Sequence, residues 1–193
     1  MDPSHKEQYL SALEQSLDAA VAMGAHSVTI HSNALGEGGI VVNHYTELSD
    51  TVKLCSMYDM LLECVKLAEP RGVMLHLEAL NVVTDHCGNF LQKTQMGAEI
   101  CRLVASGKLK LLYDCYHMQL NEGRLCHNLS LYIDQIGHIH VADAPGRHEP
   151  GTGEINYANI YRCLESLGYT GRVGYELFPK TGTAAAVAAI MKD

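Results

Sequence analysis

Short apolar runs of four to six residues alternate along this chain with longer stretches in which apolar residues return every three or four positions. The first pattern is that of buried strands and the second that of amphipathic helices. Strands are expected at 27–30, 73–78, 109–114, 138–141 and 173–178. A helix precedes the first of them. It carries Leu10, Leu13, Leu17 and Val21 on one face, a Ser4 and Glu7 capping box at its start and Gly24 at its end. Further helices are expected at 50–68, where Leu54, Met57, Leu61, Leu62 and Val65 keep helical spacing before Pro70, and at 94–106, 128–135, 157–167 and 183–191.

Strand and helix therefore alternate through five βα units that follow an orphan helix. Such alternation implies parallel strands joined by right-handed crossovers. No linker, repeat or low-complexity tract divides residues 1–193, so the chain reads as one α/β domain. An open doubly wound sheet and part of a (β/α)8 barrel both fit. The loop after the first strand has glycines at Gly36, Gly38 and Gly39 but not the G-x-G-x-x-G order of a dinucleotide site.

The residues at the strand ends tip the balance toward the barrel. Glu78, Asp114, His140 and Glu176 each lie at the carboxyl end of a successive expected strand. Parallel βα units gather those ends on one face, where barrel enzymes build their sites from several strands at once. Three carboxylates and one imidazole make an oxygen-rich donor set suited to a divalent cation, Mn²⁺, Mg²⁺ or Co²⁺, rather than to sulfur-rich structural zinc. Downstream of His140 a Pro- and Gly-dense loop presents Asp143, Arg147, His148, Glu149 and Glu154. Arg147, with its planar fork, suits a substrate carboxylate. His117 lies one helical turn beyond Asp114, and Gly174 leaves room two residues before Glu176.

Composition narrows the remaining choices. With 47% hydrophobic and 19% charged residues, the 193-residue chain is ordinary globular material. A formal net charge of -8 gives no basis for binding nucleic acid or an anionic membrane. No apolar run approaches the roughly 18 residues of a membrane span. The start of the chain lacks the basic-then-apolar pattern of a signal peptide. Seven cysteines, odd in number and never spaced as CxxC, read as reduced core thiols in a cytoplasmic protein.

Four motifs carry a resemblance to a known family: YDCYHMQ at 113–119, GHIHVAD at 137–143, PGRHEPGTGEINY at 145–157 and GYELFP at 174–179. Together they resemble hydroxypyruvate isomerase and its 2-oxo-tetronate isomerase relatives, among the xylose-isomerase-like barrels that also include the ketose 3-epimerases. The resemblance implies metal ligands at Glu78, Asp114, His140 and Glu176, a proton-transfer pair at Glu78 and Glu176, and substrate contacts from His117 and Arg147. Glu149 and Glu154 of the specific loop are carried over as further substrate-binding candidates. The implied substrate is a small hydroxy-carbonyl or keto acid. Two alternatives stand beside it: a 3-epimerase or an enolate-forming lyase or deglycosidase on the same site, and a non-catalytic or partner-dependent subunit.

Two departures accompany the resemblance. After Glu78 the family reads Pro-Ile-Asn, whereas here Ala79 and Leu80 precede Asn81. Such barrels also run to about 250 residues, so three βα units are expected to be absent. Five strands cannot close an eight-stranded barrel, and the resulting expectation is two free edges and an exposed apolar interior. A homo-oligomer, a partner supplying the missing strands, or a shortened form of a longer chain would account for this.

Overall fold

The computed structural model describes residues 3–191. Five strands form one sheet: β1 (Ser27–Ile30), β2 (Met74–Glu78), β3 (Leu109–Asp114), β4 (Ile136–Val141) and β5 (Arg172–Tyr175). All pairings are parallel and follow chain order, β1-β2-β3-β4-β5, and the sheet curls into half of a barrel. Outside it lie α1 (Lys6–Met23), α2 (Asp50–Ala68), α3 (Thr94–Val104), α4 (Cys115–Asn121), α5 (Leu125–Tyr132), α6 (Tyr157–Ser166) and α7 (Thr183–Ile190).

The period of two along each strand explains the layering. Ile30, Leu75, Leu77, Leu109, Leu111, Tyr113, Ile139 and Val141 face the helices, where they join Leu17, Leu61, Val65, Ile100, Leu129 and Ile160 in one cluster. Each such side chain buried stabilises the fold by roughly 1.5–3 kcal/mol. Three of the seven free cysteines, Cys64, Cys101 and Cys115, are buried, and burial pushes the Cys64 and Cys101 thiols up to about 12. Cys55 and Cys87 are exposed. No helix among the described residues is long and apolar enough to cross a membrane.

Several local expectations are corrected. A 3₁₀ turn over Pro3–His5 moves the N-cap of α1 to His5, past the expected capping box, and Val21 is exposed while Ala20 is buried in its place. The helix expected at 94–106 stops at Val104 because Ala105 turns left-handed, with φ 55°. The helix expected at 128–135 begins earlier, at Leu125, and ends in a 3₁₀ turn over Ile133–Gln135. A helix that periodicity did not signal, α4, starts directly after Asp114.

The concave face is also unlike the expected apolar interior. Residues paired in register with His76 and its neighbours are Thr29 on β1, Lys110 on β3, His138 on β4 and Arg172 on β5. This face is mainly polar, with Met74 and Leu112 as its apolar members. His76 stacks on His138 at 5.4 Å, an internal histidine pair below the strand ends.

One irregularity decides which way β4 faces. Leu111 pairs with Ile136, but Leu112 pairs with His138, so Gly137 is an extra residue bulged out of the ladder. The extra residue reverses the alternation and turns His138 and His140 toward the concave side, alongside Asp114. A methyl group at Gly137 would lie 2.8 Å from both His76 Nε2 and Lys110 Cβ. Gly137→Ala should therefore lower stability by about 1–3 kcal/mol, read as a shifted urea midpoint. An unchanged midpoint would mean that the bulge has more room than its geometry indicates.

Candidate metal centre

Glu78 and Asp114 are the last residues of their strands, His140 is the penultimate residue of β4, and Glu176 follows β5 immediately. Each of the four offers one ligand atom, and these atoms all lie within 4.8 Å of one another. His140 Nδ1 stands 3.8 Å from Glu78 Oε1, 3.9 Å from Asp114 Oδ2 and 3.4 Å from Glu176 Oε2. Donors about 2.1 Å from a common cation stand about 3.0–4.2 Å apart, depending on the angle between them. The four residues are a candidate metal-coordinating cluster.

The protein holds one end of these donors and leaves the other free. Asp114 Oδ1 caps α4 by accepting the N–H groups of Tyr116 (2.7 Å) and His117 (3.0 Å). Glu78 Oε2 pairs with His31 Nε2 at 2.9 Å. Glu78 Oε1, Asp114 Oδ2, His117 Nε2 and His140 Nδ1 are buried and have no hydrogen-bond partner among the described residues. Leaving such atoms unsatisfied costs about 1–3 kcal/mol each, and their convergence on one point is what a cation would relieve.

The electrostatics are those of crowded carboxylates around two basic groups. Burial raises the Asp114 pKa, opposed by the His117 N–H and by Arg147. Burial alone would depress His140, but its contact with Glu176 and the surrounding carboxylates outweigh it and leave the imidazole raised. Glu176 is lowered to about 2, chiefly by His140 and, against burial, by Arg147. The Arg147 guanidinium bonds Glu176 Oε2, stands 3.8 Å from Asp114 Oδ2 and lies over the Tyr116 ring. His117 is lowered to about 4, mainly by burial.

The loop after β4 is shaped by an acid that stays out of the cluster. Asp143, fully buried, accepts four backbone hydrogen bonds at 2.8–3.0 Å, from Ala144, Gly151, Gly153 and Ile155. That collar presents Arg147, in left-handed backbone conformation, toward the strand ends. Glu149 is turned away, accepting the Lys180 N–H, and Glu154 is bonded by the Gln119 side chain. The structure thus brings Glu78, Asp114, His117, His140, Arg147 and Glu176 together, and leaves Glu149 and Glu154 outside. His31 escaped the sequence reading, although it directly follows β1 and so obeys the strand-end rule that marked the others. At Gly174 a Cβ would meet His138 Nε2 at 3.0 Å and His140 Cδ2 at 3.2 Å, so the room it leaves is taken by these rings.

Comparison with known proteins agrees with the fold. The family model described as "Xylose isomerase-like TIM barrel" matches residues 1–193. The chain belongs to that family. It is 41% identical over 118 residues to 2-oxo-tetronate isomerase of Cupriavidus necator, covering 61% of this chain and 45% of that protein. It is also 41% identical over 113 residues to hydroxypyruvate isomerase of Escherichia coli, covering 58% and 43% respectively. The chain thus spans less than half the length of these two relatives. Among solved structures, an AP endonuclease, family 2, from Brucella melitensis superposes with a TM-score of 0.86 at 23% identity, over 98% of this chain and 69% of that one. D-psicose 3-epimerase from Clostridium cellulolyticum gives 0.80 at 22%, over 98% and 63%. At these identities the superpositions establish the fold alone.

Calorimetric titration of the metal-stripped chain with Mn²⁺ should reveal one saturable site per chain. Asp114→Asn, which keeps an acceptor oxygen for the α4 cap, should weaken binding at least tenfold. Unaltered affinity in that variant would remove Asp114 from the ligand set.

Proposed function

We propose that this chain is, or forms part of, a divalent-metal-dependent isomerase of small hydroxy-carbonyl acids, interconverting hydroxypyruvate and tartronate semialdehyde. The observation that carries the reading is the convergence of Glu78, Asp114, His140 and Glu176 at four successive strand ends, with buried atoms left free. The 41% identity to two keto-acid isomerases favours an acid substrate over a ketose. In this reading Glu78, Asp114, His140 and Glu176 hold Mn²⁺, Mg²⁺ or Co²⁺. A cation held there would supply stabilisation for the negative charge that proton removal creates.

The chain's own groups do the rest. One glutamate of the Glu78 and Glu176 pair takes the proton from the hydroxyl-bearing carbon, and the hydroxyl proton passes to the neighbouring carbonyl oxygen. The other glutamate, protonated from solvent, gives a proton to the neighbouring carbon; the first then returns its proton to solvent and the pair is reset. Arg147 receives the substrate carboxylate through its planar fork. To do so it must release Glu176, whose pKa it helps, after His140, to hold low; substrate entry thereby removes one of the groups that keep that carboxylate acidic. His117 offers a ring nitrogen from a buried position beside Glu78 and Asp114. Glu149 and Glu154 support the loop rather than touch the substrate.

The free edges of β1 and β5 favour pairing with further strands, supplied by a second copy, a partner chain or a longer form of this chain. Sedimentation should therefore show an assembly larger than one chain; a stable monomer retaining turnover would remove the requirement for a partner. In the assembled protein Glu176→Gln should reduce hydroxypyruvate turnover at least a thousandfold while Mn²⁺ still binds. Turnover close to the unaltered level would exclude Glu176 from proton transfer, and faster turnover of a ketohexose than of hydroxypyruvate would favour the epimerase reading.

A further inference from the structure

Just past the carboxyl end of β2, Asn81 makes a set of hydrogen bonds that leaves no freedom in its orientation. It is fully buried. Its Oδ1 accepts the backbone N–H groups of Thr84 (3.0 Å) and Asp85 (3.1 Å). The opposite amide rotamer would set the NH₂ against those two donors and the oxygen against the Asp85 carboxylate. The amide nitrogen must therefore point the other way, where it meets Asp85 Oδ2 at 2.8 Å and His117 Nδ1 at 2.7 Å. Its two hydrogens are thereby allotted, one to each acceptor.

The consequence passes to His117. A nitrogen that accepts from an amide N–H carries no proton of its own, so in the neutral ring the proton resides on Nε2. That atom is buried, has no partner among the described residues, and stands 3.9 Å from Glu78 Oε1 and 3.8 Å from Asp114 Oδ2, beyond hydrogen-bond reach of either. We infer that Asn81 is a positioning residue that fixes His117 as the Nε2–H tautomer, so that the imidazole presents a hydrogen-bond donor to an acceptor oxygen of the substrate. The role of that oxygen, a carbonyl or carboxylate, rests on the isomerase reading; the tautomer does not. His117 is then neither a fifth ligand nor a general base in its resting form, because its inward nitrogen has no lone pair to offer.

The same network accounts for a second group of metal-binding residue types. Asp85, His86 and His117 lie close enough together to bracket a cation. The Asn81 amide already bonds both Asp85 and His117, and His86 Nδ1 is engaged by the Gly39 carbonyl at 2.7 Å. The group is thus knit by the protein's own hydrogen bonds.

The test is ¹⁵N NMR of the histidine side chains in the metal-free chain, with the His117 resonances assigned by their loss in His117→Gln. The spectrum should show a bare Nδ1 and a protonated Nε2. The charge-conserving swap Asn81→Asp with Asp85→Asn replaces the amide by a carboxylate at position 81 without placing two acids together. In that variant the proton should appear on Nδ1. A protonated Nδ1 in the unaltered chain would overturn the inference, as would an unchanged tautomer in the folded swap. Should the swap fail to fold, the unaltered chain's spectrum still decides. Because no metal or substrate enters the measurement, an inactive chain with the expected tautomer would refute the functional reading and leave this one standing.

Discussion

Side chains on a strand alternate between two faces, and a single residue of register decides whether His140 meets three carboxylates or the helical layer. The bulge at Gly137 supplies that residue. Continuing the pairing of Leu111 with Ile136 without it would set Ile139, not His140, opposite Asp114, and His140 would be driven among the apolar side chains that Ile139 and Val141 now join. Glycine is required at the bulge because His76 and Lys110 already occupy the space a side chain would need. The stacked histidines below and the close-packed Gly174 beside them belong to the same arrangement: room made on the concave face of β4 and β5 for two imidazoles.

Preorganisation of the centre has a common form. Asp114 and Glu78 each spend one oxygen on a fixed partner, the α4 N-terminus or His31, and so cannot rotate the other oxygen away. This is the outer-shell support that orients metal ligands generally. Glu176 differs. It is half exposed, lies beyond its strand and is tied to the long Arg147 side chain. One carboxylate of the cluster is thus more free to change partners than the other two.

Strand ends were the legible part of the sequence. The bounds of β1, β3 and α2 follow directly from apolar spacing and turn residues, and so does the convergence of Glu78, Asp114, His140 and Glu176. The bulge was not legible, since register is a relation between two strands that no local pattern encodes. Nor was α4 foreseen: seven residues cannot display helical periodicity, and what starts it is the Asp114 carboxylate, read only as a ligand. In the 142–157 loop the sequence offers several polar side chains without saying which turns inward. Asp143 does, because four glycine-rich backbone amides need an acceptor there. Glu149 and Glu154 are engaged by the Lys180 N–H and the Gln119 side chain.

The strict chain order of the sheet has a kinetic meaning. Each strand pairs only with its sequence neighbours, and β1 and β5 never meet. Among the described residues, every pairing therefore closes a loop no longer than one βα unit. Stability in such a series is shared between neighbours, as in stacked repeats, and contacts within this chain hold its terminal units from one side only. Three of the four donors reside on the inner strands, whereas Glu176 follows the last. Fraying of β5 would withdraw a single carboxylate and Tyr175 while the remaining donors stayed folded in place.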